Sequence, residues 1–272
     1  PMRILILDTL YCPEALPFGH LDATAHYLAQ MDHDVRAWAL NDGSPPKDVV
    51  RDLDVVYAMD RFDVCARIWA KVAVAQVAAI TDPLPWNVRK NDGSPAYSLV
   101  ISSIPWMVEA AREAGCRAEF VPLCFDSRAL TCGMGVKERD LDCIFIGTQG
   151  FNHKKRTALL AELADVVTVL PPVFGHEYFK TLARAKVTAN CHAEWARGET
   201  MQNMRTWEAM GMGSALVELA NVEESRAAIK SLLVDDAHRA HVARQWQRRA
   251  LQDDTYVQRI PQIVALIEEV LG

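Results

Sequence analysis

The amino-acid sequence predicts an α/β protein with two doubly wound domains that face each other across a central cleft. Short apolar runs alternate with helix-period segments along almost all of the 272 residues. Strands that are apolar throughout are typical of parallel sheets whose two faces are both covered by helices. The alternation stops once, over residues 125–137, and then starts again, so the chain divides into two domains of ordinary size.

The first domain contains the elements that its apolar runs and turn residues indicate. Pro105 suits the first position of a helix and Gly115 suits the position just after its end, so a helix is expected between them. The predicted strands are 2–7, 34–40, 54–58, 72–80, 99–104 and 119–124, and the predicted helices are 20–30, a short one near 45, and 105–114.

The second domain repeats this alternation after a segment that carries glycine and small polar residues. We interpret that segment, residues 125–138, as a linker between domains at 2–124 and 139–254. Thr200 is the expected N-terminal cap of one of the following helices. The predicted strands are 141–146, 166–170, 186–190 and 215–219, with helices at 153–163, 176–185 and 200–210 and helical periodicity from 223 to the end.

Composition and motif content exclude several classes of function. The 29 basic and 35 acidic side chains give a net charge of −6, which does not indicate nucleic acid or an anionic membrane as the main electrostatic partner. Seven cysteines without a C-x-x-C pair favour reduced thiols, and no apolar run approaches the roughly 20 residues of a membrane helix, so we expect a cytoplasmic protein. The dinucleotide-binding, P-loop, zinc-protease and serine-hydrolase motifs are all missing from the sequence.

A glycine-containing loop with basic residues follows the predicted strand 141–146. Gly147 and Thr148 stand at the strand end, and Arg156 lies in the basic first turns of the next helix. Glycine lets backbone N–H groups approach an anion, and a basic side chain near a helix N-terminus adds positive potential. A solvated turn with a charged first helical turn explains the same residues, so this loop alone does not decide between the two readings.

A second polar segment follows the predicted strand 186–190. His192 comes just after that strand, and Asn203, Arg205 and Glu208 lie on the helix that comes next. Arg205 and the helix N-terminus could bind a diphosphate, while Glu208 could accept a hydrogen bond from a ribose hydroxyl. An exposed i,i+3 ion pair between Arg205 and Glu208 accounts for the spacing equally well.

The order of these segments resembles the GT-B glycosyltransferases, specifically the group-1 and CgeB-type families. Two departures from the family pattern concern the second domain: Glu199 and Glu208 are one residue too far apart for the group-1 E-x7-E pair, and the loop expected after Val217 is short. The matching motifs are Phe18-Gly19-His20, Asp32-His33-Asp34-Val35, Thr81-Asp82-Pro83, the run Val121 to Asp126, the run Asp142 to Gly147 with Arg156, and Arg205-x-x-Glu208-Ala209-x-x-x-Gly213.

The resemblance implies two Rossmann-like domains and a sugar transfer from a nucleotide sugar, a UDP-hexose first of all, to an acceptor hydroxyl. It implies no metal and no cofactor besides the nucleotide-sugar co-substrate, and it implies that residues 255–272 form a helix that packs back on the acceptor-side domain 2–124. An inverting enzyme needs a general base, for which Asp82 and His20 are the candidates. The expected donor-binding residues are Gly147, Thr148, Arg156, His192, Asn203, Arg205 and Glu208, and the acceptor-side residues are Gly19, Trp86 and Arg89.

Three readings of the acceptor stay open on the sequence. A glycan, a lipid-linked or a small-molecule acceptor ranks first. Trp86 beside Arg89 also suits a flipped base, so DNA with 5-hydroxymethylated pyrimidines, as modified by compact phage enzymes of this fold, is the strongest single rival. The short loop after Val217 motivates a third reading, a non-catalytic module that binds a sugar nucleotide or a partner protein.

Overall fold

A computed structural model describes residues 1–8, 17–39, 48–59, 75–80, 97–149, 153–191 and 203–272. The chain divides into two compact units. The first consists of Pro1–Leu123 together with Tyr256–Gly272, and the second consists of Cys124–Thr255. Within the described ranges no helix combines the length and the apolar character needed to cross a membrane.

The first unit is built on a parallel sheet with the strand order β2-β1-β3-β4-β5-β6. The interior strand β1 is Ile-Leu-Ile-Leu over residues 4–7, and all four side chains are fully buried, which requires that both sheet faces are covered. The strands are β1 Arg3–Asp8, β2 Asp34–Ala39, β3 Val55–Met59, β4 Ala75–Ile80, β5 Leu99–Ser102 and β6 Ala118–Phe120; the helices are α1 His20–Gln30, α2 Pro105–Glu113 and, from the end of the chain, α9 Tyr256–Leu271.

The second unit contains a smaller parallel sheet in the order β10-β9-β7-β8. Its core joins the buried faces of the strands to apolar residues of the surrounding helices, among them Phe145, Leu160 and Ile229. The strands are β7 Leu141–Ile146, β8 Thr168–Leu170, β9 Ala185–Asn190 and β10 Ala215–Glu218; the helices are α3 Leu130–Gly133, α4 Lys154–Glu162, α5 Gly175–Arg184, α6 Met204–Gly211, α7 Val222–Val234 and α8 Asp236–Gln252.

The two parallel sheets with covering helices confirm the predicted α/β class. The helix after β5 begins at Pro105, and Gly115 follows it with φ of 85°, in the left-handed region that favours glycine, as its sequence position indicated. The predicted helix near residue 45 lies outside the described residues. The helical region from 223 onwards is divided into three helices, because Asp235 caps the start of α8 and residues 253–255 separate α8 from α9.

The start of α6 differs from the sequence prediction. The helix begins at Met204, and Asn203 rather than Thr200 is its cap, since the Asn203 side chain accepts a hydrogen bond from the Thr206 N–H at 3.3 Å. Asparagine caps a helix as well as threonine does, so sequence position alone could not separate the two candidates. Thr200 itself lies outside the described residues.

The segment interpreted as a linker carries structure of its own. A 3-10 turn at Ser127–Ala129 leads directly into α3, and the buried Asp126 caps that turn by accepting from the Arg128 N–H at 3.0 Å. The Phe125 side chain is 0% exposed and lies against Gly211, so the beginning of this segment packs into the second unit.

Candidate functional site

The carboxyl ends of β7, β9 and β10 bring the polar residues of the second unit together. In open parallel sheets this is the edge at which ligands bind. Gly147 and Thr148 follow β7, Cys191 follows β9, and Glu218 is the last residue of β10. The N-terminus of α6 starts at the same edge, with Asn203 as its cap.

Two arginines from different helices meet over the ring of Phe145, a buried residue of β7. The guanidinium carbon of Arg205 is 5.0 Å from the ring centroid, and that of Arg156 is 5.7 Å from it. Arg156 also donates from Nη1 to the Thr148 carbonyl oxygen at 3.1 Å, which fixes it beside the glycine loop. A Cβ added to Gly147 would stand 2.9 Å from Arg205 Nη2, so only glycine leaves Arg205 its present position.

Neither arginine of this pair forms an ion pair with a carboxylate among the described residues, although the charge of Glu208 lies near enough to interact with Arg205. Arg156 is only 8% exposed, and the Nε atoms of Arg156 and Arg205 are buried without a hydrogen-bond partner among the described residues. The pKa of the Arg156 guanidinium is lowered, first by its burial and second by the charge of Arg205. Burial raises the pKa of the nearby Cys191 thiol, so that thiol does not supply the missing anion at neutral pH. An anion at this edge would satisfy both donors.

Asn190, the fully buried last residue of β9, fixes the position of Arg205 by a hydrogen bond. Its Oδ1 accepts from Arg205 Nη1 at 3.1 Å, and its Nδ2 donates to Glu218 Oε2 at 2.9 Å. The Asn190 and Asn203 amides donate to each other at 3.1 Å, and Thr206 Oγ1 donates to Glu218 Oε1 at 3.0 Å. One buried amide therefore connects the arginine, the cap of α6 and the end of β10.

The carboxylate of Glu208 lies half-buried next to this network. Tyr178, on α5, donates from its hydroxyl to Glu208 Oε2 at 2.6 Å. Burial raises the pKa of Glu208, while the Tyr178 hydrogen bond and the charge of Arg205 oppose that rise. Arg205 bonds to Asn190 and Glu208 bonds to Tyr178, so the two residues are not the simple exposed ion pair that their spacing allowed.

Sequence reasoning missed three residues of this site, Asn190, Tyr178 and Glu218. Asn190 and Glu218 are polar residues at the ends of apolar strands, which is a signal that could have found them. Tyr178 carries no such signal, because it lies within an amphipathic helix whose relation to α6 only the fold shows.

The first unit contains two of the predicted residues, at the start of α1. Gly19 is the N-terminal cap of α1 in an extended conformation. His20 is hydrogen-bonded through Nδ1 to the hydroxyl of Tyr256, whose ring stacks on Tyr27 with 5.9 Å between centroids. Burial lowers the pKa of His20 from 6.5 to about 4, which keeps its imidazole neutral at physiological pH.

Four of the predicted site residues cannot be placed. Asp82, Trp86, Arg89 and His192 lie outside the described residues. Of the predicted donor-binding residues, Gly147, Thr148, Arg156, Asn203, Arg205 and Glu208 are gathered at one sheet edge of the second unit.

Comparisons with known proteins give a full-length likeness in structure. No protein-family model matches the chain, and no curated protein matches it in sequence. AviGT4, a glycosyltransferase involved in avilamycin A biosynthesis, matches with a TM-score of 0.66 and 13% identity over 100% of this chain and 98% of that one. HepE of Anabaena, solved with UDP-glucose, matches with a TM-score of 0.62 and 16% identity over 99% and 100%. The DNA-modifying enzyme β-glucosyltransferase matches with a TM-score of 0.67 and 14% identity over 99% of both chains.

The chain has the GT-B fold. This confirms the predicted fold class, because glycosyltransferases of that fold match from end to end and the chain contains two parallel-sheet units. Identities of this size show the fold alone, so the finer resemblance to the group-1 and CgeB-type families stays a prediction. In the GT-B fold of this chain, the two arginines and the glycine loop belong to the second unit.

Proposed function

We propose that this GT-B protein is a glycosyltransferase that moves a sugar, a hexose in the first instance, from a UDP-sugar to an acceptor hydroxyl. The observation that carries the proposal is the pair of arginines over Phe145, whose buried Nε donors lack a partner among the described residues. A nucleoside diphosphate supplies the negative charge and the acceptor oxygens that this pair requires.

The donor is proposed to lie along the carboxyl edge of the second sheet. Arg156, Arg205 and the backbone at Gly147 and Thr148 would bind the diphosphate, and the N–H groups at the start of α6, after Asn203, would add a partial positive charge. Glu208 would accept from a ribose hydroxyl through the carboxylate oxygen that Tyr178 leaves free. His192 is also proposed for this site on sequence position alone.

In the reaction, the bond from the anomeric carbon to the diphosphate breaks and a bond to the acceptor oxygen forms. The diphosphate gains negative charge as it leaves, and Arg156 and Arg205 would stabilise that charge where other enzymes use a metal ion. The acceptor proton goes to a base if the configuration is inverted. His20 is one candidate, since its neutral imidazole has a lone pair at Nε2 when Nδ1–H donates to Tyr256; Asp82 is the other.

The acceptor is proposed to be a glycan, a lipid-linked or a small molecule with a free hydroxyl, with Gly19, Trp86 and Arg89 on its side. DNA that carries hydroxymethylated pyrimidines is the second candidate, and a basic helix of the second unit favours it. That helix, α8, carries two exposed arginines, Arg244 and Arg248, that have no acidic partner among the described residues.

Donor binding is tested by calorimetry and thermal shift with UDP, GDP, ADP, CMP and dTDP and their common sugars. A ligand at 100 times its dissociation constant adds about 2.7 kcal/mol of stability, which raises the melting temperature by several degrees. We expect one nucleotide family to give this shift and the variant Arg205→Ala to abolish it. Arg244→Ala, which removes an exposed arginine of the same unit, should leave the shift unchanged.

Two results would contradict the proposal. Absence of a shift with every nucleotide would remove the donor site and favour the non-catalytic module. A shift that survives in Arg205→Ala would place the nucleotide elsewhere. If the nucleotide binds, release of UDP in the presence of candidate acceptors then identifies the second substrate.

A further inference from the structure

Helix α8 carries an unusually basic sequence for an acidic protein. After its first residue, Asp236, the helix contains four arginines, two histidines and three glutamines but no further acidic residue, although acidic residues outnumber basic ones in the whole chain by 35 to 29. Four of the basic side chains fall on the solvent side of the helix and are exposed. We call them the α8 basic face: His238, His241, Arg244 and Arg248.

The opposite side of α8 packs into the second unit. Ala243 and Ala250 are buried, and Gln247 donates from Nε2 to the carbonyl oxygen of Gly211, at the end of α6, at 2.9 Å. Arg249 pairs with Asp254 and lies over the ring of Trp207, so it belongs to the packed structure and not to the basic face. The orientation of the basic face is therefore fixed by packing on its far side.

The two arginines of the basic face differ from most other exposed arginines of the described structure in having no acidic partner, a property that Arg51 shares. Exposed or half-exposed arginines such as Arg3, Arg184 and Arg226 each form an ion pair with an aspartate. Arg244 and Arg248 have no hydrogen bond or ion pair with any residue that the structure describes. They stand one helical turn apart, where like charges repel each other. A partner with negative charge would relieve this repulsion.

The composition of the face indicates what kind of anion it fits. A helix that lies on a membrane needs apolar side chains beside the basic ones, and a stable protein interface needs an apolar centre. The row from His238 to Arg248 has no exposed apolar centre, since its exposed members are basic or glutamine, and the apolar Val242 and Trp246 of the same helix are half-buried at its flank. The row is about 15 Å long, the axial length over which one DNA strand presents about four phosphates.

We propose that the α8 basic face binds the phosphate backbone of double-stranded DNA. This goes beyond the proposed sugar transfer, because the proposed donor-binding residues lie on other elements, and it rests on the proposed function only in that it bears on DNA, the second acceptor candidate. The contact is electrostatic and independent of base sequence, so its affinity should fall steeply as salt is added. Glutamine side chains on the same helix are suited to additional hydrogen bonds with the backbone.

The test measures the fluorescence anisotropy of a labelled duplex of about 20 base pairs, two helical turns, against protein concentration at several salt concentrations. The double variant Arg244→Gln/Arg248→Gln removes two charges and keeps good helix formers. A matched control, Arg51→Gln/Lys180→Gln, removes two exposed charges elsewhere and has the same net charge of −6 − 2 = −8. Vesicles of anionic phospholipid are assayed in parallel by co-sedimentation.

We expect wild type and control to bind DNA with the same salt dependence. The α8 variant should bind more weakly, and the slope of log K against log salt should be smaller in magnitude by about 2. Absence of DNA binding by wild type at low salt would overturn the proposal, as would equal binding by the α8 variant and the control. The proposal would also be overturned, in favour of a membrane surface, if wild type bound vesicles but not DNA and the α8 variant lost the vesicle binding.

The nucleotide thermal shift on the same three proteins separates this inference from the proposed function. All three should respond to the nucleotide alike, because neither double variant touches Arg156 or Arg205. If the nucleotide fails to bind while the α8 variant still loses DNA, the proposed function fails and the DNA contact stands. If the nucleotide binds and DNA does not, the DNA contact fails and the proposed function stands.

Discussion

Asn190 is the residue that holds Arg205, the arginine of the proposed donor site, in place. It is fully buried, accepts from Arg205 and donates to Glu218, so its loss would leave several buried polar groups without partners. We expect Asn190→Ala to lower the free energy of unfolding by about 1–3 kcal/mol and to weaken nucleotide binding by about tenfold, a cost near 1.4 kcal/mol. Calorimetry and chemical denaturation measure the two effects separately.

The matched control for Asn190 lies two residues earlier on the same strand. Thr188 Oγ1 and Ser214 Oγ share a buried hydrogen bond of 2.8 Å that does not involve Arg205. Thr188→Val should therefore reduce stability but leave nucleotide affinity unchanged. Equal loss of affinity in both variants would mean that Asn190 acts through general stability and does not position Arg205.

Gly147 is the second residue at which a small change should have a local effect. An added methyl group would stand 2.9 Å from Arg205 Nη2 and 3.1 Å from the Phe145 ring. The end of the arginine side chain can move, so Gly147→Ala should change the melting temperature little and displace the guanidinium. We expect weaker nucleotide binding, measured by calorimetry, and an unchanged affinity would show that Arg205 does not contact the donor.

At the scale of elements, the presence and order of the strands were predictable, although the predicted strand 119–124 ends at Phe120, and the polar contacts between elements were not predictable. Apolar runs such as 2–7 and 141–146 gave the positions of β1 and β7 within a residue, because burial on both faces leaves a strong signal. The spacing of Arg205 and Glu208 made them candidates beside an equally possible surface ion pair, yet Tyr178 on α5 was missed. Its contact with Glu208 joins residues 30 positions apart, and no local pattern reports such a pairing.

Helix α6 ends where it meets Phe125, and this contact gives a prediction that helix propensity alone would reverse. Alanine is a better helix former than glycine, but a Cβ at Gly211 would stand 2.5 Å from the ring of the fully buried Phe125. We expect Gly211→Ala to lower the free energy of unfolding by about 1–3 kcal/mol through overpacking. Thermal and chemical denaturation check this.

The control for Gly211 is Gly133, at the end of α3. A Cβ there would meet side chains at 3.1 and 3.3 Å, which is tight but needs a shift of only a few tenths of an ångström, so Gly133→Ala should cost less. If Gly211→Ala were as stable as wild type, the fit of α6 against Phe125 would be looser than the structure indicates.

At the scale of the whole molecule, the chain returns to its first unit through α9. Tyr256, the first residue of α9, bonds to His20 and stacks on Tyr27, so the last helix is attached to the first one. Apolar periodicity predicted a terminal helix. The tyrosine–histidine contact could not be predicted, because its two residues lie 236 positions apart.

This attachment makes the stability of the molecule depend on pH. Burial lowers the pKa of His20 from 6.5 to about 4, so between these values the unfolded chain binds a proton that the folded chain does not. The free energy of unfolding should therefore be fully retained above pH 6.5 and fall as the pH is lowered towards 4. Chemical denaturation of wild type and His20→Gln at several pH values gives the free energy of unfolding as a function of pH for each protein. The difference between the slopes of the two curves is the contribution of this residue. A wild-type slope equal to that of the variant in this range would mean that His20 is as accessible to protons in the folded protein as in the unfolded one.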